Sequence, residues 1–239
     1  MIFILVAEFL ALFFLSRALT KSLYELLVLT TRSRPVAIAI STLLFFPGTV
    51  VHDLAHLFTA EILGVRTGKL SLAPESIQGE EIQVGSVAIS ETGPLRRALI
   101  GLAPTFAGLI AITGLSYLIY HPEILPTQIT NFTLSSLPFP LYPFVLFYLL
   151  FAVGNNMFPS KPDMKGVPAV GITILVIVIL IYFAGFRFVL TGQALVVFNQ
   201  ITGSLTQNLG IVLAINGVLL LTIQILIAVA VKITHRQII

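Results

Sequence analysis

VAIAISTLLFFPGTVVHDLAHLFTAEIL, residues Val36 to Leu63, is long and apolar enough to cross a bilayer as one helix, yet it carries His52, Asp53 and His56. Ionisable side chains are expensive in hydrocarbon, about 3 kcal/mol each even on insertion scales, so an intramembrane cluster marks a functional site by default. Positions four apart share one helix face, so the two imidazoles can converge on a single ion. Gly48 lies on the same stripe, one turn earlier.

The rest of the chain supports the membrane setting. Of 239 residues, 57% are hydrophobic and 10% charged, with mean hydropathy +1.03, against about 25% charged in an ordinary soluble domain. Stretches without Asp, Glu, Lys or Arg run from Ala98 to Tyr120, Leu137 to Ser160, Val167 to Phe186 and Phe188 to Val231. With Ile2 to Leu19 and Val36 to Leu63 they predict six spans, the last from Leu209 to Val231 after a more polar connection at Thr191 to Asn208. The expected fold is an all-α membrane protein, a polytopic bundle of about six transmembrane helices. It forms one integral membrane domain over 1–239, with a core at 36–166 and C-terminal transmembrane helices at 167–239.

Between the second and third spans the period changes from helical to alternating. Lys69 to Leu72 and Ile82 to Ile89 read as two short strands joined by a turn at Pro74 to Gly79, a small β-hairpin over 68–90. Its free edge would suit an extended peptide, since strand addition uses backbone groups and tolerates many side chains.

Cysteine is absent, which excludes disulfides and thiolate metal sites. The apolar N-terminus has no Lys or Arg before Arg17 and is read as a retained span rather than a cleaved signal peptide. The 13 basic residues sit mostly at segment ends, the pattern of membrane flanks, and argue against nucleic acid as a partner. With a cytoplasmic N-terminus and six alternating spans, eight of them fall on the cytoplasmic side, a slight bias. Glu8 is expected to snorkel or pair with a nearby base, Glu61 to reach the interface or pair with Arg66, and His121 and His235 to be interfacial.

Two histidines do not close a catalytic zinc site, which takes three protein ligands and leaves a fourth position open. Asp163 is the candidate third ligand. It follows Asn155-Asn156-Met157-Phe158-Pro159-Ser160-Lys161-Pro162, where two prolines break the helix. Irregular backbone at membrane depth is tolerated where protein or a water-filled cavity surrounds it.

These residues carry a family resemblance. His52-Asp53-Leu54-Ala55-His56 with Ala60, Gly64 and Val65 resembles the H-E-x-x-H-x-x-x-A-x-x-x-G-V signature of the site-2 proteases, which are intramembrane zinc metalloproteases. Ile100-Gly101-Leu102-Ala103-Pro104 is similar to that family's third-helix A-G-P segment, without the glycine before the proline. Asn156-Met157-Phe158-Pro159 with Pro162 and Asp163 resembles its N-x-x-P-x-x-P-x-D-G motif. Here the acid comes one residue early, and Met164-Lys165 separates it from Gly166.

The resemblance implies Zn2+ on His52, His56 and Asp163, Asp53 as general base, and Asn156 in the substrate cleft. It implies cleavage of peptide bonds in or near transmembrane segments of membrane-protein substrates, by a multi-pass protein of a prokaryotic cell membrane. Asp53 departs from the family's glutamate and is one methylene shorter, a reach deficit of about 1.5 Å. Misplacement by ~1 Å can cost about a hundredfold in rate, although transfer through one water can restore the path. Two other readings stay open: a relative that binds membrane segments without cutting them, and a metal transporter using the same four residues. Two imidazoles and a carboxylate also suit iron or cobalt.

Overall fold

The computed structural model describes residues 2–78, 81–89, 92–126, 129, 140–187, 189 and 191–234; within 68–91 and beyond 232 only the backbone is described. The expectation for His235, and the tip and end of the expected hairpin at 79–80 and 90, lie outside these residues. Among the described residues, six helices of more than ten residues organise the chain: α1 Ile2–Thr31, α2 Arg34–Ile62, α3 Pro94–Tyr120, α4 Tyr142–Asn156, α5 Val167–Phe183 and α6 Gly192–Thr234. Five helical segments among the described residues are long and apolar enough to cross a membrane: α1, α2, α3, the run Asp163–Phe183 that contains α5, and α6. The molecule is thus a multi-pass membrane bundle. α4, at 15 residues, is apolar but spans only about 22 Å.

Two helices differ from the expected boundaries. α1 continues past Leu19 to Thr31 and stops where Arg32 takes a left-handed φ of 57°. Pro35 then occupies the first turn of α2, where a missing N–H costs nothing. The expected polar connection at Thr191 to Asn208 is helical from Gly192, so α6 runs unbroken for 43 residues. Its Asn, Gln, Ser and Thr are only modestly poor helix formers, and no proline interrupts them. Thr202 and Asn208 are buried while residues 191–201 are exposed, so only the end of this helical stretch turns toward the bundle.

Between α2 and α3 the backbone forms two antiparallel strands, β1 Thr67–Gln78 and β2 Glu81–Ile89. β1 runs through Pro74, where a turn was expected. The chain absorbs the proline by shifting register on either side of it, at Ser71/Pro74 and Pro74/Ser76.

The packing fixes helix directions. α2 and α4 run side by side and parallel: Tyr148 donates to the Leu44 carbonyl at 3.1 Å, Phe45 stacks on Phe151, and the Gly48 backbone meets Ala152. α1 and α6 are also parallel, with Glu8 facing Gly210, Leu12 packed with Leu209 and Val212, and Leu19 with Ile223. Six alternating spans would have set these two antiparallel. Glu8 therefore turns toward α6, and its Oε2 has no hydrogen-bond partner among the described residues.

The core lies where α1, α4 and α6 meet α2 and α3. Leu12, Ile112, Leu150, Val153, Met157, Leu209 and Val212 form its centre. Met157 plugs the break after α4, and Phe158 packs edge-on against Phe9 and Phe13. The start of the irregular segment is thus packed against protein, while Lys161 and Pro162 further along it are exposed.

Candidate metal centre

α2 brings His52 and His56 to one face, and the turn after α4 brings Asp163 to meet them. The three offer ligand atoms that all lie within 4.8 Å of one another. His56 Nε2 is 3.1 Å from His52 Nε2 and 3.3 Å from Asp163 Oδ1, while His52 Nε2 is 3.7 Å from Asp163 Oδ2. His56 is 4% exposed, and the other two are half-buried.

The ring orientations follow from backbone partners. His52 Nδ1 donates to the Asn156 carbonyl at 2.6 Å, and His56 Nδ1 donates to the Ile100 carbonyl at 2.9 Å. A carbonyl only accepts, so each Nδ1 carries a hydrogen and each neutral ring presents a bare Nε2 lone pair. Two lone pairs and a carboxylate oxygen then face one another across about 3 Å. Such an arrangement demands positive charge among the three groups, which either a proton on one ring or a metal cation supplies. Nδ1–H bonded to a carbonyl is also the usual outer partner of a ligating histidine.

Asp163 is held asymmetrically. The Ser160 backbone N–H and hydroxyl both donate to Oδ2, at 2.7 and 2.5 Å, leaving Oδ1 to face His56. The carboxylate reaches back three residues much as the acid of a capping box does, here at the head of the 3-10 turn Asp163–Gly166.

Two glycines permit the approach. A Cβ on Gly101 would stand 2.0 Å from the Asp163 carbonyl oxygen, and one on Gly48 would stand 2.0 Å from that of Ala152. Gly48 lets α2 and α4 touch one turn before His52 meets Asn156, so the same register serves both contacts.

The carbonyls at the end of α4 lack intrahelical partners and would be costly in hydrocarbon. Three different helices satisfy them in succession. Ser16 of α1 donates to Asn155 O at 3.0 Å, His52 of α2 to Asn156 O, and Thr105 of α3 to Met157 O at 3.1 Å. α6 joins through a reciprocal amide pair between Asn155 and Asn216, at 3.0 and 3.1 Å.

Asp53 is 3% exposed, and its Oδ2 has no hydrogen-bond partner among the described residues. It lies within electrostatic reach of His52, His56 and Asp163. An orphaned buried carboxylate oxygen beside a cation-demanding cluster fits a metal site better than a packed helix face. Asn156 enters the site by its backbone, while its Nδ2 is held by the carbonyls of Ala152 at 2.9 Å and Phe45 at 3.4 Å. Beside Val51, an apolar cleft of about 550 Å³ opens among Pro47, Gly114, Leu118, Leu149 and Val153.

The sequence reading missed Ser160 and the carbonyls of Ile100 and Asn156. Ser160 was legible in principle, three residues before the acid; the carbonyls have no side-chain signature. Comparison with family models, curated proteins and solved structures finds no match to this chain.

Proposed function

We propose that this chain is an intramembrane metalloendopeptidase of site-2 protease type. On this reading it holds Zn2+ on His52, His56 and Asp163 and hydrolyses peptide bonds in or near transmembrane segments of membrane-protein substrates. The observation that carries the proposal is the approach of two imidazole Nε2 atoms to 3.1 Å beside a carboxylate, with both Nδ1 atoms committed to backbone carbonyls. Two imidazoles and one carboxylate are a donor set of catalytic zinc sites. Charge balance agrees: a divalent cation with ionised Asp163 and Asp53 sums to zero, which suits a low-dielectric setting.

When bound, such a cation polarises a peptide carbonyl and acidifies water at the site. The chain's own residues do the rest. Asp53 accepts a water proton at its unpartnered Oδ2 and returns it to the leaving amine. The Ile100 and Asn156 carbonyls hold the rings, Ser160 holds Asp163, and Asn156 borders the path of the substrate at the cluster. The free edge of the strand pair takes up an extended substrate segment, and the apolar cleft beside Val51 takes its side chains. α4, too short to cross alone, is the sixth membrane-embedded helix, and the chain continues from it in the same direction through the Asp163–Phe183 run.

The short side chain of Asp53 favours one second reading, a protein of the same build that binds membrane segments without cutting them. Incubation of the purified protein with model transmembrane substrates separates the two. The protease reading expects cleavage that stops on chelation and in Asp53→Ala; binding without cleavage supports the second. Metal analysis gives the more basic test. About one equivalent of metal is expected in the wild type, with loss in His56→Ala and Asp163→Ala; equal content in all three leaves only a protonated His56 paired with Asp163.

A further inference from the structure

In an α-helix the carbonyl of residue 100 accepts from the N–H of residue 104, and here residue 104 is a proline. Pro104 lies inside α3, fully buried, and has no N–H to give. Its ring also pushes against the carbonyl four residues back, tilting it off the helix axis. The Ile100 carbonyl is therefore released from its helix, and the donor it receives is His56 Nδ1 at 2.9 Å. One residue on, Gly101 receives the backbone of Asp163. The broken turn of α3 thus serves both ligands that meet at 3.3 Å.

We infer that Pro104 is a positioning residue of the metal centre: by withholding an N–H it frees the Ile100 carbonyl to fix the tautomer and aim of His56. The inference rests on the metal reading given above. It explains why a residue that weakens a helix interior stands one turn from the ligand-bearing face. A backbone carbonyl that is already engaged within its helix is a poorer and differently directed acceptor. Restoring the N–H therefore loosens the ring's outer anchor rather than removing any ligand.

The test compares the full-length wild type with Pro104→Ala, using Co2+ as the probe because its visible absorption reports ligand geometry. Pro104→Ala should bind Co2+ about 10- to 100-fold more weakly, the usual effect of losing an outer-shell partner, with an altered visible spectrum. In metal-free protein, histidine 15N shifts should show His56 hydrogenated at Nδ1 in the wild type and shifted toward the Nε2–H tautomer in the variant. Wild-type Co2+ affinity and spectrum in Pro104→Ala would overturn the inference, as would unchanged nitrogen shifts at His56. A wild type that binds no Co2+ at all would end the metal reading instead, and the nitrogen shifts would still decide the role of Pro104.

Discussion

The two oxygens of Asp163 have different partners, and Ser160 makes the difference. With its backbone N–H and hydroxyl both on Oδ2, the carboxylate presents its other oxygen, free of Ser160, toward His56. Ser160→Ala keeps the backbone bond and loses the hydroxyl, so metal affinity should fall about 10-fold or more, while Ser160→Thr should retain it. A competition titration against a chromogenic chelator checks both. Gly101→Ala should be harsher, since a Cβ 2.0 Å from the Asp163 carbonyl forces the acid away from α3. Metal content near that of Asp163→Ala is expected there. Asp53→Glu addresses reach: if the missing methylene limits the rate, cleavage should rise.

At this scale the sequence was informative for the side chains that meet at the cluster, though not for the Ser160 hydroxyl behind them. His52 and His56 announce themselves by spacing, and Asp163 by the proline-broken segment before it. The outer partners were not legible, because Ile100 and Asn156 act through carbonyls that every residue possesses. Which carbonyl is free depends on a proline four residues later or on a helix ending there.

At the scale of elements, α4 is the piece on which the others converge. Its last carbonyls take donors from α1, α2 and α3, and Asn155 ties it to α6. Removing the amide pair by Asn216→Leu should destabilise the bundle by about 0.6 to 2 kcal/mol, the range for hydrogen bonds between membrane helices. Reversible unfolding in mixed micelles measures this, and no loss would mean the pair is dispensable. Helix existence was readable from long uncharged runs, but helix ends were not. The polar stretch before Asn208 reads as a connection in the sequence, but its Asn, Gln, Ser and Thr carry the helix on without a break.

At the scale of the molecule, direction matters more than number. α1, α3 and α6 point one way, and α2 and α4 the other. The Asp163–Phe183 run leaves the site toward the start of α3, with Gly166 against Pro94 and Ala98, so it continues in the direction of α4. The two ends of the described chain should therefore face opposite sides of the membrane. The chain has no cysteine, so single cysteines at Phe3 and Lys232 can be labelled separately with an impermeant maleimide. Labelling of both from one side would contradict this arrangement. The loop charges gave only a slight bias, and alternation was assumed; side-by-side α1 and α6 could not be read from hydropathy, which carries no information about neighbours.

The ligand set is divided along the chain, with Asp163 entering 107 residues after His56. During synthesis a ribosome must thread α3 and α4 into the bilayer before the acid reaches the imidazoles. Until then the nascent polypeptide carries two of the three groups, so the cluster would close only as a late step of biogenesis.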